Sequence, residues 1–227
     1  RAQPLSRSLM RTGATRVVVE RVGDTAVARE LISGDFLAPR FVDARGLTVR
    51  IALVGHSATL LAGDDLRIEF VVAPGTCLEV IEPSGTVAYN ARGGRASWSA
   101  SASVGAGAAL IWRAAPFVVA GGADVTRRVD ISLESDAVAL LDEMIVFGRT
   151  GETGGALRSD QRITVDGDAL LGAERQQPVG KAGRGAPGAR EFEHQPPQTL
   201  ELFRVVNPLE RLRECSNLRV AEQLPIA

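Results

Sequence analysis

Apolar and polar residues alternate in many short segments along most of the chain. Turns rich in Gly, Pro, Asp and Asn separate these segments, which include TRVVVERV, LTVRIALV, LRIEFVV, ASWSASASV, VTRRVDISL and QRITV. Alternation of this kind is typical of strands with one buried face. Before residue 200, only Ala137–Phe147 is long and apolar enough to leave both a helix and a strand open. The pattern predicts a mainly β protein.

A weak repeat runs through the predicted strands. Turns of small residues are followed by strands that restart on a leucine, at intervals of 31, 32, 30 and 30 residues: Leu47, Leu78, Leu110, Leu140 and Leu170. A steady period of this size is typical of stacked units that bury their faces on one another. We therefore expect a stacked β-solenoid, like a β-helix, or an elongated twisted sandwich. A meander of equal hairpins gives a similar period and stays open.

Composition divides the chain into four predicted segments. They are a flexible N-terminal segment (1–10), a β-rich domain (11–176), a Gly/Pro-rich linker or loop (177–199) and a partly helical C-terminal segment (200–227). In NPLERLREC, Asn207 can cap a helix, Pro208 suits its first position and Glu210 completes a spacing like that of a capping box. The expected fold is a mainly β body of many short strands, with one or two helices near the C-terminus.

Charge and cysteine content narrow the functional class. The formal net charge is -1, so the basic face of a nucleic-acid-binding protein is not indicated. The two cysteines lie far apart in sequence, which argues against a disulfide framework and favours a reducing compartment. No apolar run approaches the roughly 20 residues of a membrane span, and no secretory signal is recognisable. We expect a soluble, cytoplasmic protein.

The usual catalytic and metal-binding constellations are missing from the sequence. There are two histidines, His56 and His194, and neither a G-x-S-x-G elbow nor a C-x-x-C or H-E-x-x-H motif occurs. His56 is expected at the surface or in a turn. Cys77 alternates with neighbours in TCLEV and is expected as a buried or half-buried strand thiol.

The segment FGRTGETGG has the glycine content of a phosphate-binding loop but not its chemistry. No Lys follows the glycines, and Glu152 would repel a phosphate. We predict a shaped turn in which Gly148 and Gly151 allow unusual backbone angles and Arg149 orients Glu152 toward a partner or a passage. A plain sheet turn with an exposed ion pair is the alternative.

Acidic residues recur near turns and strand ends. Asp142 and Glu143 lie inside an apolar run, where an ionised carboxylate is costly unless it is paired or hydrated. Carboxylates along a polar passage can hold a divalent cation loosely. Ordinary solvated turn acids are the alternative interpretation, and it fits Glu143 least well.

The order of motifs resembles that of urease accessory proteins of the UreD (UreH) family. LLAGDDLRIEFVVAPGTCL is similar to that family's glycine–aspartate segment, strand and turn, and VGAGAALIWRAAPFVVAGGADVTRRVDISLESDAVALLDEMIVFGRTGE follows its next run in the same order. The final GRTGE is tighter than the family's G-R-x-x-x-G-E signature. The resemblance covers roughly Val17 to Gln176. The chain lacks the family's P-P-G-G and T-T-Q segments, and nothing after Arg184 resembles it.

The resemblance implies a β-rich, solenoid-like and non-catalytic protein. It implies binding to apo-urease on one side and to the UreF–UreG subcomplex on the other, with nickel passing through UreF and UreD to the urease active site. On this interpretation Ni²⁺ is a transient cargo, and no cofactor is tightly bound. The carboxylates predicted to contribute to the nickel path are Asp64, Glu143, Glu152 and Glu174.

Two alternatives stay open at this stage. A β-solenoid or jelly-roll-like enzyme acting on a small molecule or sugar would need paired carboxylates, and Asp142 and Glu143 with Asp64 are the candidates. A structural β module would have no metal role.

Overall fold

The computed structural model describes residues 13–177 and 198–202. Within these ranges the chain forms strands and no helix. The predicted N-terminal segment, most of the predicted linker and the predicted C-terminal helix lie outside the described residues. The strands are β1 (Thr15–Val22), β2 (Thr25–Ile32), β3 (Leu37–Arg45), β4 (Thr48–Gly55), β5 (Asp65–Val72), β6 (Cys77–Ile81), β7 (Thr86–Ala88), β8 (Ala96–Val104), β9 (Ala109–Arg113), β10 (Phe117–Val119), β11 (Asp124–Leu133), β12 (Val138–Phe147), β13 (Ala156–Val165), β14 (Asp168–Gln177) and β15 (Gln198–Leu202).

The strands form two sheets. The first has the order β14-β13-β11-β8-β5-β1-β2, and the second has the order β3-β4-β6-β9-β12-β10-β7, with β15 paired to β12. In each coil the chain runs along a strand of the first sheet, turns into a strand of the second sheet and then turns back to the first sheet. Corresponding strands of successive coils pair in parallel. A mainly β fold of stacked parallel coils is a β-solenoid, and this prediction is confirmed.

The leucine repeat corresponds to the coil repeat in the middle of the chain. Leu78 pairs with Leu110, and Leu110 pairs with Ala139, so the chain returns to the same position after 32 and then 29 residues. The expectation for Leu47 and Leu140 is wrong, because Val49 pairs with Leu78 and Leu140 pairs with Ile111. The expectation that Leu170 continues this stack is wrong. It lies on β14, which doubles back antiparallel on β13 instead of starting another coil.

Two hairpins close the N-terminal end of the stack. β1 pairs with β2 and β3 pairs with β4, both antiparallel. β1 and β4 then join the solenoid through parallel pairing with β5 and β6. The first coil therefore contains two hairpins, whereas the coils formed by β8 with β9 and by β11 with β12 contain none.

The core lies between the two sheets. Strand residues alternate between this interior and solvent, as they do in β8, where Trp98, Ala100 and Ala102 are buried and serines lie between them. The small alanines leave room for large rings: the centroids of Trp98 and Trp112 are 6.1 Å apart, and those of Phe70 and Trp112 are 5.1 Å apart. Such aromatic pairs each contribute about 0.5–1.5 kcal/mol beyond their buried area.

The segment that left helix and strand open is strand β12. From Ala139 onward its side chains alternate, with Leu141, Glu143 and Ile145 buried and Asp142 and Met144 exposed. Its first half pairs with β9 up to Asp142, and its last residues pair with β10 from Ile145 onward. β12 therefore spans both parts of the second sheet.

In the part of the chain that the structure describes, no helix is long and apolar enough to cross a membrane. Cys77 is 1% exposed at the start of β6, which confirms the prediction of a buried strand thiol. His56 is exposed just after β4, and its Nε2 lies 3.0 Å from the carbonyl oxygen of Gly34, which confirms the surface prediction.

Candidate functional site

Glu143 points into the core between the two sheets. The two-residue period of β12 gives Glu143 the same direction as the buried Leu141 and Ile145. Its side chain is only 3% exposed. A carboxylate at this depth requires a partner, because transfer of an unpaired charge out of water is very costly.

The partner comes from the facing sheet. Arg127 is directed inward from β11, is fully buried, and donates from Nη2 to Oε1 of Glu143. Gln161 on β13 donates from Nε2 to Oε2 of the same carboxylate over 3.3 Å. Parallel pairing aligns Arg127 with Trp98 on one side and Ser159 on the other. Three strands therefore supply one buried polar cluster.

Aromatic rings surround the Arg127 guanidinium. Its Cζ lies 4.3 Å from the ring centroid of Trp98 and 5.8 Å from that of Phe117, both suitable for cation–π attraction. Its Nε and Nη1 have no hydrogen-bond acceptor among the described residues. Burial lowers the pKa of Arg127 to about 9, against the opposing effect of Glu82. The guanidinium therefore stays charged at neutral pH.

Glu82 is a second, half-buried carboxylate. Its Oε1 accepts a hydrogen bond from Trp112 Nε1 at 2.8 Å, and its Oε2 accepts one from the backbone N–H of Ala115 at 3.2 Å. Burial raises the pKa of Glu82 from 4.5 to about 7, although both hydrogen bonds and the charge of Arg127 oppose this rise. Glu82 therefore changes its charge near neutral pH.

A cleft of about 220 Å³ lies beside Glu82. From there a series of contacts runs inward: Glu82 bonds to Trp112, Trp112 stacks on Trp98, and Arg127 lies over Trp98 and bonds to Glu143. These contacts connect the cleft to the buried carboxylate through two stacked tryptophan rings. The cleft is lined by Leu37, Ser57, Glu82, Ser84, Thr86 and Tyr89, among others.

The FGRTGETGG segment forms the turn between β12 and β13. Arg149 donates from Nε and Nη2 to the Glu152 carboxylate at 3.0 and 2.6 Å, and the backbone N–H of Gly121 donates to it at 3.3 Å. The hydrogen bond from Arg149 is the main cause that lowers the pKa of Glu152 to about 2. Gly148 has φ = 78°, and a Cβ there would collide with the carbonyl oxygen of Glu152. The turn is exposed and internally organised, with Arg149 orienting Glu152.

The four carboxylates predicted for a nickel path lie in different places. Glu143 is inside the solenoid, and Glu152 lies at an exposed turn. Asp64 is in the turn before β5, where its Oδ2 accepts from the backbone N–H of Leu61 at 2.8 Å. The backbone of Glu174 pairs with Asp160 on the first sheet. Among the described residues no three His, Cys, Asp or Glu side chains are grouped closely enough to hold a metal ion.

The carboxylate pair considered for an enzyme is not supported. Asp142 is exposed and Glu143 is buried, because neighbouring residues of a strand point to opposite faces. The two carboxylates therefore cannot act on one substrate.

Arg127, Gln161 and Glu82 were missed in the sequence. The strand pattern of VTRRVDISL indicates that Arg127 is buried, because Arg127 is in phase with the apolar Val125 and Val129. Arg128 is out of phase with them. Gln161 is likewise in phase with the buried side chains of β13. Glu82 follows the end of β6 and carries no such signal.

Comparison with known proteins identifies relatives of one kind. The family model described as UreD urease accessory protein matches residues 11–215, beyond Gln176, where the resemblance seen in the sequence ends. Urease accessory protein UreD 1 of Streptomyces griseus is 46% identical over 169 residues, which cover 74% of this chain and 66% of that protein. The UreD of a Parafrankia species is 35% identical over 191 residues, which cover 84% of this chain and 64% of the relative.

A third relative agrees with these two. The UreD of Streptomyces avermitilis is 34% identical over 153 residues, which cover 67% of this chain and 59% of that protein. The chain thus spans somewhat less than two thirds of the lengths of the curated relatives it matches. The relatives are named as urease accessory proteins rather than as enzymes, in agreement with the predicted non-catalytic character. The chain belongs to the UreD family of urease accessory proteins.

Proposed function

We propose that this chain acts in urease maturation as a non-catalytic scaffold. It binds apo-urease on one side and the UreF–UreG subcomplex on the other, in the cytoplasm, and helps to pass nickel to the urease active site. Membership of the UreD family supports the maturation role.

The observation that carries the proposal is a charged cluster in an otherwise apolar core. Arg127 and Glu143 are fully buried between the sheets, and Gln161 bonds to the same carboxylate. A buried ion pair is often no more stabilising than apolar residues of similar volume. Stability alone therefore does not account for this cluster, and the stacked Trp98 and Trp112 lie between it and Glu82 at the cleft.

The chemistry of the cluster suits a divalent cargo that has to move on. Carboxylate and amide oxygens bind divalent cations, whereas closely grouped His and Cys side chains would hold Ni²⁺ tightly. Glu143 supplies the carboxylate, and Gln161 donates from its amide Nε2 to that carboxylate. A site with so few ligands binds nickel weakly, as a passage requires.

The turn that holds Arg149 and Glu152 is proposed to face a partner. Its carboxylate is held in place by Arg149 and by the backbone of Gly121, so little side-chain freedom would be lost on binding. Gly148 and Gly151 both have positive φ angles and give the turn its shape. Asp64 and Glu174 are proposed as further carboxylates along the nickel path.

Co-expression with the partners tests the proposal. The tagged chain would be produced with the urease subunits, UreF and UreG of the same source, and retained proteins and urease activity would be measured. We expect retention of both urease and UreF. In the variant Glu143→Gln we expect retention to persist and active urease to fall at least about tenfold, since the charge that attracts a cation is lost.

Asp142→Asn is the matched control, because it neutralises the exposed neighbour on the same strand. It is expected to activate urease normally. A soluble native chain that retains neither partner would refute the scaffold. Full activation by a folded Glu143→Gln chain would remove the buried cluster from the nickel path.

A further inference from the structure

The cleft beside Glu82 combines one charge with apolar walls. Its volume is about 220 Å³, and the exposed Ser84 and Tyr89 lie at its mouth. Leu37 and Leu53 form apolar parts of the wall, and several uncharged hydroxyl groups line the rest. Among the described residues of this lining, Glu82 is the only charged one. A cleft of this kind fits a side chain with an aliphatic stem and a positively charged end.

The Glu82 carboxylate has acceptor positions left for a ligand. Its Oε1 takes one hydrogen bond from Trp112 and its Oε2 takes one from the backbone N–H of Ala115. An ionised carboxylate has about four acceptor positions, so each oxygen can accept one more hydrogen bond. A guanidinium donates two parallel N–H groups to the two oxygens of a carboxylate, whereas an ammonium donates from a single nitrogen. The remaining capacity of Glu82 therefore suits arginine better than lysine.

The hydrogen bonds to Glu82 come from uncharged donors, and no described residue forms an ion pair with it. Arg127 bonds to Glu143 instead, and the stacked rings of Trp98 and Trp112 lie between that guanidinium and Glu82. Burial raises the pKa of Glu82 to about 7, although the charge of Arg127 opposes this rise. A second positive charge that entered the cleft would hold the carboxylate in its ionised form.

The mouth of the cleft has the character of a protein-docking surface. Tyr89 is 37% exposed there, and its backbone N–H donates to the carbonyl oxygen of Leu60 over 3.1 Å. The next residue along the chain, Leu61, is 46% exposed. In protein interfaces, apolar and aromatic side chains around a pocket exclude water from the anchor that fills it. This rim favours a side chain carried by a protein over a free small molecule.

We propose that the cleft receives an arginine side chain of a partner protein, whose guanidinium bonds to both carboxylate oxygens of Glu82. The aliphatic part of that arginine lies against the apolar wall, and the surface around it meets Tyr89 and Leu61. The source of the arginine, one of the proteins that the scaffold binds, rests on the proposed function. The selectivity of the cleft for arginine does not, because it is measured with the chain alone.

Titration of the complete chain with small probes tests this selectivity. Nα-acetyl-arginine amide carries the guanidinium, whereas Nα-acetyl-citrulline amide has nearly the same shape without the charge. Fluorescence of Trp112, which bonds to Glu82, reports binding. At pH 8 the arginine probe should bind at least about tenfold more tightly than the citrulline probe, because hydrogen bonds between charged groups are the stronger ones. Nα-acetyl-lysine amide should bind less tightly than the arginine probe, and equal binding would overturn the choice of arginine.

A matched pair of variants locates the binding site. Glu82→Gln keeps the shape of the side chain and should bind the arginine probe at least about tenfold more weakly than the native chain. Glu134→Gln should bind it as the native chain does, because Glu134 is exposed, also accepts a backbone hydrogen bond and lies outside the lining of the cleft. Native affinity in a folded Glu82→Gln chain overturns the proposal. So does equal binding of the arginine and citrulline probes to the native chain, a comparison that requires no variant.

The pH dependence identifies the group that holds the guanidinium. With a pKa of about 7, the ionised fraction of Glu82 rises about tenfold between pH 6 and pH 8, and the affinity for the arginine probe should rise with it. Arg127 faces Glu82 across the tryptophan rings and stays charged over this range. His56, whose Nδ1 lies 3.3 Å from Oγ of Ser57 in the lining, is of a residue type that titrates near neutral pH. His56→Gln should keep the pH dependence, and its loss in that variant, or its absence from the native chain, overturns the role of Glu82.

Capture of partners tests the source of the arginine. The tagged native, Glu82→Gln and Glu134→Gln chains would be co-expressed with urease, UreF and UreG, and the retained proteins would be compared. We expect Glu82→Gln to retain one partner at least about tenfold less than the native chain, and Glu134→Gln to retain all that the native chain retains. Native-like retention by a folded Glu82→Gln chain overturns the docking role and leaves the scaffold. A native chain that retains no partner refutes the scaffold, whereas the arginine selectivity of the cleft is decided by the titration.

Discussion

Replacing Glu82 by glutamine should change how the stability of the protein depends on pH. Burial raises the pKa of Glu82 from 4.5 to about 7. Between these two values the folded protein holds a proton on Glu82 that the unfolded chain has released. The folded state therefore binds more protons there, and Glu82 makes the native protein less stable as the pH rises.

The magnitude follows from the two pKa values. The cost to the folded state is below about 1 kcal/mol at pH 5 and levels off at about 3 kcal/mol above pH 7, when both states are ionised. Glutamine has no such cost. The stability of Glu82→Gln relative to the native protein should therefore improve by about 2.5 kcal/mol between pH 5 and pH 8. The loss of the hydrogen bond from Ala115 lowers the stability of the variant at every pH and does not affect this difference.

Urea unfolding at pH 5, 6, 7 and 8 measures the difference directly, provided that the native and variant chains show the same dependence on denaturant. Glu134→Gln is the matched control, because Glu134 is exposed and also accepts a backbone hydrogen bond, from Ala106 at 2.9 Å. A stability difference for Glu82→Gln that stays constant from pH 5 to pH 8 would refute the reasoning. A difference that changes in the opposite direction would show that Arg127 stabilises the Glu82 carboxylate more than burial destabilises it.

Two further predictions concern the turn between β12 and β13. Gly148→Ala should destabilise the protein by about 1–3 kcal/mol, because a Cβ there meets the carbonyl oxygen of Glu152 at positive φ. Gly151 also has positive φ, but the space around it is open, so Gly151→Ala should destabilise the protein less. Thermal unfolding of the two variants would measure the difference. Glu152→Gln should lower urease activation in co-expression without unfolding the protein, since it loses the charge that Arg149 holds in place. Normal activation by that variant would leave Glu152 outside the mechanism.

Much of the fold could be predicted from local alternation and from the leucine period. The segments around Leu78 and Leu110 were predicted as stacked strands, and the structure pairs these two residues. The period fails at Leu170, where the chain turns back after a tight turn at Asp166 and Gly167. Sequence spacing does not distinguish a new coil from an antiparallel hairpin, because both begin with a small-residue turn.

The candidate site could be predicted only in part. Glu143 was identified because a carboxylate within an apolar run needs a partner. Arg127 was not, because it comes from another strand and meets Glu143 across the core, and this pairing depends on how the two sheets face each other. Glu82 bonds to Trp112 in the next coil, and no local sequence pattern encodes this contact.

The way β12 changes neighbours has a consequence for the dynamics of the buried carboxylate. Pairing with β9 ends at Asp142 and pairing with β10 begins at Ile145, while Glu143 and Met144 pair with β15. Release of the five-residue β15 would expose this stretch of backbone while the solenoid stays folded. Amide hydrogen exchange at Glu143 and Met144 would then follow the opening of that short strand, ahead of the exchange of the strands that the solenoid holds on both sides.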